Sequence, residues 1–342
     1  MAETLVELGF RVDAVSWTNR SFVPRRDYDV VIDVRTNLER WAPAVGGRTV
    51  KVLHCDTAHH AFHNEAQHER LRRLEERRGI RLAPHRLLPA NRGIETADCA
   101  TVLGNSFTID TWAAAARPGT PIVRVPVSCP WTYDWPERKD FAATSRRWIW
   151  IGSDGFMHKG LDLVLEAFAG LPGFELYVCG PMWREPAFEH VFYRELHRTP
   201  GIRTLGWVDP ASERFRELAR SSIGVVFPSC SEGGGVSALV GLHAGLLPLV
   251  TRESSLDLPP GLGPYLGAAE PEEIRERARA VAATSASDLA AQTRVAWEHA
   301  RARHTRERFA RRWREVAAAI VDGRAADLAE RAGGSASEIG RG

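Results

Sequence analysis

Glu232 stands immediately before three successive glycines, Gly233, Gly234 and Gly235. Glycines at the start of a helix let a ligand approach the backbone, and the free N–H groups and helix dipole there favour an anion such as a phosphate. The carboxylate of Glu232 could accept hydrogen bonds from sugar or ribose hydroxyls. An ordinary tight turn with a solvated glutamate explains the same residues equally well, because a glycine run alone is a weak signal.

Buried strands and a helix must position this loop. Residues 223–227 and 247–250 are short, continuous apolar runs, as is typical of strands buried on both faces of a parallel sheet. Between them, apolar residues recur at helical spacing over 236–244, and Gly245 ends the helix. The stretch therefore predicts a strand–helix–strand unit, with the glycine loop at the carboxyl end of its first strand.

Two other predicted strand ends carry residues that could bind a ligand. Lys159 begins a helix after an apolar strand, where its charge could hold a diphosphate; a solvated lysine is the plain alternative. His54 follows the strand predicted at 49–53, and its position favours hydrogen bonding to a substrate hydroxyl. Loop capping explains His59 and His63 at least as well. We expect no metal site here, because these histidines would not all share one face.

Strands and helices alternate along the whole chain, which predicts an α/β fold of two Rossmann-like, doubly wound domains. Residues 1–135 form the first domain and 136–304 the second, and 126–136 reads as the linker. Doubly wound sheets bind ligands at the carboxyl ends of their strands, so we expect the two domains to face a cleft that holds the site. Residues 323–342 are predicted to be a disordered tail.

Composition excludes several classes of protein. The chain has 342 residues, 44% of them hydrophobic, and a formal net charge of +2, which indicates no general attraction to nucleic acid. Its five cysteines show no CxxC pattern and no clustering with histidine, so neither a zinc site nor a disulfide framework is expected. We see no signal peptide and no apolar run long enough to span a bilayer, and we expect a cytoplasmic protein.

The beginning of the chain departs from the doubly wound pattern. Residues 2–8 are predicted to be the end of a helix and 11–15 a strand, whereas such a domain normally opens with a strand and a glycine-rich turn. The first strand of the N-terminal domain is therefore missing from the pattern, and we expect it to belong in the middle of the sheet. The natural reading frame would then begin roughly 15 to 30 residues before Met1. Alternatively, another segment takes the place of the missing strand in the sheet, or the chain is a degenerate copy that has lost it.

Four blocks of sequence, taken together, carry a family resemblance: HKGLDLVLEAF, LYVCGP, IRTLGWV and FPSCSEGGGVSALVGLHAGLLPLVT. Their order and spacing over about 148–251 resemble the C-terminal half of the retaining GT-B glycosyltransferases called "glycosyl transferases group 1". The N-terminal half is similar more loosely. The resemblance implies transfer of a sugar from a nucleotide diphosphate sugar to an acceptor, with retention and without a metal or other cofactor. It also implies that residues 305–322 form a last helix crossing back to the N-terminal domain.

The resemblance implies roles for individual residues. Glu232 corresponds to a glutamate that contacts the donor sugar, Lys159 to the lysine that neutralises the leaving diphosphate, and His54 to a histidine of the N-terminal domain near the donor sugar. The residues implied to bind the donor are Ser231, Gly233, Gly234, Gly235, Val236 and Ser153. Two positions depart from the family pattern: Val240 replaces a glutamate that holds the ribose, and Ser153 replaces an arginine that accompanies the lysine.

Two functions therefore stay open, an active glycosyltransferase and a non-catalytic relative that binds nucleotide, sugar or a partner enzyme. A dinucleotide-dependent oxidoreductase is disfavoured because no GxGxxG follows a strand. Residues 65–92 contain eight arginines and four glutamates. We interpret them as a solvated helix face with internal ion pairs or, alternatively, as a docking surface for an acidic acceptor or the anionic surface of a membrane.

Overall fold

A computed structural model describes residues 1–263, 265–267 and 269–329. They form an α/β fold with two parallel sheets. The strands are β1 (Val30–Asp33), β2 (Val50–Cys55), β3 (Cys99–Leu103), β4 (Ile122–Val125), β5 (Arg147–Ile151), β6 (Glu175–Cys179), β7 (Ile202–Gly206), β8 (Gly224–Phe227) and β9 (Leu247–Val250). The helices are α1 (Ala2–Glu7), α2 (Leu38–Trp41), α3 (His60–Arg78), α4 (Ser106–Ala113), α5 (Phe141–Thr144), α6 (Leu161–Ala169), α7 (Pro186–Val191), α8 (Tyr193–Arg198), α9 (Glu213–Arg220), α10 (Val236–His243), α11 (Pro271–Ala282), α12 (Ala286–Arg303) and α13 (Arg306–Val321). No helix within the described ranges is both long enough and apolar enough to cross a membrane.

The first of two compact units comprises residues 1–62, 88–128 and, of the described residues at the end of the chain, 306–329. Its sheet has four parallel strands in the order β1-β2-β3-β4. Successive side chains of a strand point to opposite faces, so apolar runs such as that of β2 supply two cores. One core contains Leu53, Ala100, Val102 and Trp112. The other contains Val52, Cys99, Val123, Val125 and Trp313.

Helix α13 covers the second of these faces. Trp313, Val316 and Ile320 are buried in that core, and Phe309 packs against it. These four residues recur at helical spacing and so form one apolar face of the helix predicted at 305–322. Part of the predicted tail 323–342 is also described: Ala325 is buried in the same core, and Leu328 and Ala329 pack against it. The rest of that predicted tail, 330–342, lies outside the described residues.

The strand predicted at 11–15 is wrong, because residues 10–29 form neither helix nor strand. Arg11, Asp13 and Ala14 are exposed and Val12 and Val15 are only partly buried, so the alternating pattern here belongs to a loop at the surface. The predicted gap in the middle of the sheet is not found either. Each strand of the described sheet hydrogen-bonds to the next, which leaves no unpaired backbone between neighbours.

The second unit comprises residues 63–87 and 129–305. Its five parallel strands have the order β7-β6-β5-β8-β9. The chain passes outward from β5 through β6 to β7, then returns to the other side of β5 to form β8 and β9. The strand order therefore reverses between β5 and β8. In doubly wound sheets, the loops at the carboxyl ends of the strands at such a switch point hold the ligand.

This division differs from the predicted first domain, 1–135, at residues 63–87 and 129–135. Leu71 and Leu74 of helix α3 are buried in the same core as Trp148 and Trp150 of β5. In addition, Arg77 of α3 donates to the buried Asp162 of α6 over 2.8 Å. The helix therefore belongs to the second unit by both its apolar and its ionic contacts, although its sequence precedes two strands of the first.

Candidate functional site

The two loops at the switch point of the second unit hold most of the predicted site residues. The loop after β5, residues 152–160, contains Ser153 and ends at Lys159 and Gly160, while the loop after β8, residues 228–235, contains Glu232 and the three glycines. Because β5 and β8 are hydrogen-bonded neighbours, with Ile149 opposite Val225, their loops emerge side by side.

Glu232 and Lys159 form an ion pair across these loops. Lys159 Nζ donates to Glu232 Oε1 over 2.7 Å, and Ser229 Oγ donates to the same oxygen over 3.1 Å. The lysine side chain is 8% exposed and that of the glutamate 14%. Charges this far removed from water are stabilised only by close partners. The sequence singles out these two residues separately, and the structure joins them in one ion pair.

The electrostatic surroundings keep Glu232 ionised. Burial by itself would raise the pKa of its carboxyl, but Lys159, with a smaller contribution from Arg86, lowers that pKa to about 2. An ionised carboxylate only accepts hydrogen bonds. Glu232 can therefore orient hydroxyl groups or stabilise positive charge, whereas it is unsuited to act as a general acid near neutral pH.

Two histidines fix Ser231 beside this pair. His63 Nε2 donates to the carbonyl of Arg86 over 2.8 Å, which leaves its Nδ1 to accept from Ser231 Oγ over 3.1 Å. His158 Nε2 donates to the carbonyl of Ser231, and the two imidazole rings lie 4.5 Å apart. Burial lowers the pKa of His63, and that of His158 well below its usual value, so both rings are neutral at pH 7.

Glycines allow the loops to approach one another closely. Gly160 has a φ of +72°, and a Cβ there would lie 2.4 Å from the carbonyl oxygen of Pro228. Gly235 has a φ of +53°, and a Cβ there would lie 2.5 Å from the carbonyl oxygen of Ser254. Helix α10 begins directly after Gly235, at the partly exposed Val236. Its amino terminus therefore points free N–H groups and a positive dipole end at the loop, as an anion requires.

The remaining predicted residues do not contact this pair. Ser153 is exposed, and its carbonyl accepts from Arg184 Nη1 over 3.4 Å. Val240, where the resemblance would place a ribose-binding glutamate, is 2% exposed within α10 and belongs to the apolar interior. His54 belongs to the first unit, where it is buried and its Nδ1 lies 2.7 Å from Thr101 Oγ1. Burial lowers the pKa of His54 to about 4, so the ring is neutral at pH 7.

One trio in the described part of the chain has the composition of a metal site. Ligand atoms of His85, Asp154 and Glu185 lie within 4.8 Å of one another. His85 Nε2 lies 2.8 Å from Asp154 Oδ1, and Glu185 accepts the backbone N–H groups of Gly155 and Phe156 over 2.5 and 3.0 Å. These contacts already explain the trio as a hydrogen-bonded pair and a carboxylate that closes a turn, so we assign no metal to it.

Sequence reasoning missed Arg86 and His158 as site residues and interpreted His63 as a loop residue. Arg86 Nη1 lies 3.7 Å from Glu232 Oε1. The available signal was the spacing of the buried residues of α3: His63, Gln67, Arg70, Leu71 and Leu74 recur at intervals that place them on one helix face. The first half of that stripe is polar, so it resembles a solvated surface in the sequence.

The arginines of residues 65–92 are all engaged with acids. Each of the eight lies within 4.0 Å of a carboxylate oxygen, the partners including Asp162, Glu166, Glu195 and Glu270 of other elements of the second unit. Ion pairs within and between elements therefore account for seven of these arginines, whereas Arg86 shares Glu232 with Lys159. Docking to an anionic membrane stays a separate prediction.

Comparisons with known proteins show the same fold. The fold matches that of GT-B glycosyltransferases. Anabaena HepE, solved with UDP and glucose, is similar with a TM-score of 0.60 and 13% identity, covering 85% of this chain and 78% of HepE. WaaG, a glycosyltransferase involved in lipopolysaccharide biosynthesis, is similar with a TM-score of 0.51 and 19% identity, covering 81% of this chain and 78% of WaaG.

A third similar structure belongs to a longer chain. The pneumococcal O-GlcNAc transferase GtfA, in complex with UDP and GlcNAc, gives a TM-score of 0.53 at 12% identity. The match covers 85% of this chain, which spans only 57% of GtfA. No protein-family model matches the sequence. No curated protein matches it either.

Proposed function

We propose that this protein is a glycosyltransferase that moves a sugar from a nucleotide diphosphate sugar to an acceptor, with retention and without a metal. The observation that carries the proposal is the ion pair of Glu232 and Lys159 beside the glycine loop at the start of α10, at the switch point of the second sheet. HepE and GtfA, which share the fold, were solved with UDP and a sugar. A nucleotide diphosphate sugar offers both an anion for the loop and hydroxyl groups for the carboxylate.

In the proposed reaction, Lys159 and the N–H groups of the glycine loop stabilise the negative charge that develops on the departing nucleotide diphosphate. Oriented donors aimed at developing charge are usually the largest single contribution to catalysis. Glu232 holds hydroxyl groups of the donor sugar. The role expected of His54, contact with the donor sugar, stays a separate prediction. Because the lysine and the backbone supply the positive charge, the proposal includes neither a metal nor another cofactor.

A second candidate function is that of a relative which binds a nucleotide or sugar without turnover. Val240 favours this alternative, because a buried valine cannot hydrogen-bond to a ribose. Ser153 also favours this alternative, because serine supplies no positive charge. In this case the ligand would bind at the same loops without being cleaved.

Turnover of a panel of UDP-, GDP- and ADP-sugars, followed as release of nucleotide diphosphate with and without EDTA, tests the proposal. Glu232→Ala and Lys159→Ala should each lower turnover by about two to three powers of ten, as expected for the loss of one charge-stabilising group. Glu217→Ala, at an exposed position of α9, is the matched control and should keep full activity. EDTA should have no effect.

The possible outcomes separate the two candidates. Full activity of both site variants would refute the site assignment, and loss of activity in EDTA would refute metal independence. Nucleotide binding without turnover in the wild type would support the non-catalytic alternative.

A further inference from the structure

Arg86 is held in place by its own backbone. The N–H of Arg86 donates to Gln67 Oε1 over 3.2 Å, and its carbonyl accepts from His63 Nε2 over 2.8 Å. Gln67 and His63 lie on successive turns of α3 and are each 1% exposed. Two buried side chains thus clamp the backbone of one loop residue. These two hydrogen bonds fix the position of the Arg86 backbone, from which the side chain extends.

The side chain of Arg86 then runs towards Glu232 past the turn at Gly155. A Cβ on Gly155 would lie 2.1 Å from Arg86 Cδ, so the glycine leaves the space that the arginine stem occupies. The guanidinium reaches within 3.7 Å of Glu232 Oε1, and the side chain is 31% exposed. The distance exceeds that of a hydrogen bond. The arginine therefore lies beside the carboxylate with part of its surface open to solvent.

The charges around Glu232 do not balance. Lys159 already neutralises the carboxylate through a 2.7 Å hydrogen bond. The two histidines of the site are neutral at pH 7, because burial lowers the pKa of each. Among the described residues, Arg86 is then a second cation beside the one carboxylate of this site, Glu232. A guanidinium presents a planar set of donors that matches phosphate oxygens and is always charged near neutral pH.

We propose that Arg86 binds the diphosphate of the nucleotide ligand, together with Lys159 and the N–H groups of the glycine loop. This inference rests on the proposed function, since it names a further residue for the same donor. It assigns the ligand's charged centre to the space between α3, the loop after β5 and the loop after β8, all within the second unit. The ligand class is a nucleoside diphosphate rather than a neutral nucleoside, because the excess charge is positive.

Calorimetric titration of the full chain with UDP, GDP and ADP, and with the corresponding nucleosides, tests this assignment. For the diphosphate that binds most tightly, Arg86→Ala should weaken binding roughly tenfold to a hundredfold, as expected for the loss of charged hydrogen bonds. The matching nucleoside should bind the variant and the wild type equally. Arg86→Lys should recover part of the loss, because it keeps the charge without the planar donor set.

Arg81→Ala is the matched control, since Arg81 lies on the same loop, is 84% exposed and pairs with Glu75. It should bind the diphosphate as the wild type does. Equal affinity of wild type and Arg86→Ala for the diphosphate would overturn the inference and leave the proposed function standing. So would a parallel loss for the nucleoside, which indicates a structural role. A wild type that binds none of the three diphosphates would overturn both.

Discussion

Replacing Glu232 with glutamine should destabilise the second unit at neutral pH, and an anionic ligand should reverse the effect. Glutamine keeps the size of the side chain and one acceptor oxygen but removes the charge. Lys159 and Arg86 would then face each other's charge without the carboxylate that separates them. Leaving charges without a partner in a poorly solvated place is costly.

The pKa of Glu232 bounds the size of this effect. Its fall from the usual 4.5 to about 2 corresponds to at most about 3 kcal/mol of stability. For an acid with a lowered pKa, that contribution is fully present above pH 4.5 and is lost as the pH falls towards 2. For a unit of this size, about 3 kcal/mol shifts the melting temperature by roughly 6 to 12 °C. The glutamine variant should show that drop at pH 7.5.

Differential scanning calorimetry at pH 7.5, with and without inorganic pyrophosphate, measures the drop and its reversal. Pyrophosphate should raise the melting temperature of the variant more than that of the wild type, because the anion replaces the lost negative charge. Glu217→Gln, which changes an exposed glutamate of the same unit, should melt like the wild type. A Glu232→Gln protein with the melting temperature of the wild type would refute the view that the carboxylate holds the two cations together.

Two further predictions concern buried ionisable groups. Acidification from pH 7.5 to pH 5 should lower the unfolding free energy by up to about 2 kcal/mol for each of His54 and His243, since burial lowers the pKa of both to about 4 and the unfolded chain takes up protons from about pH 6.5 downward. Urea unfolding at the two pH values measures this, and identical free energies would contradict it; His243→Gln should remove that residue's share. Asp162→Asn should destabilise the second unit by about 3 to 5 kcal/mol, because it removes the carboxylate that pairs with the buried Arg70 and leaves Arg77 with Glu166 as its remaining carboxylate partner. Calorimetry measures this loss of stability, and the control Glu213→Gln, at an exposed position, should leave the melting temperature unchanged. Equal melting temperatures for the two variants would show that the ion pairs of Asp162 do not support the fold.

The βαβ unit of β8, α10 and β9 was predictable because its strands are buried on both faces and therefore read as unbroken apolar runs. The position of this βαβ unit at a switch point was not predictable, because strand order depends on which strands pair and not on the local sequence pattern. The strand predicted at 11–15 failed for a related reason. Alternation of polar and apolar residues predicts a strand only where another strand is available to pair with it.

The polar half of the stripe on α3 shows a second limit. Gln67 and Arg70 are buried because each meets a specific partner, the N–H of Arg86 and the carbonyl of Pro228 respectively. Such partners are distant in sequence, so hydrophobic periodicity could not reveal them. The ion pair of Glu232 and Lys159 was expected only as two residues near one ligand, and their direct hydrogen bond emerges from the three-dimensional structure.

The interleaved order of the two units has a consequence for synthesis on the ribosome. Helix α3 emerges before any strand of the sheet it packs against, so Leu71 and Leu74 stay uncovered until β5 has been translated. Folding of the first unit is completed later still, because α13, which covers one face of its sheet, is translated after the whole second unit. During translation, neither unit can be completed before synthesis of the other has begun. A fragment that begins at residue 129 would lack α3, whose Arg77 pairs with Asp162.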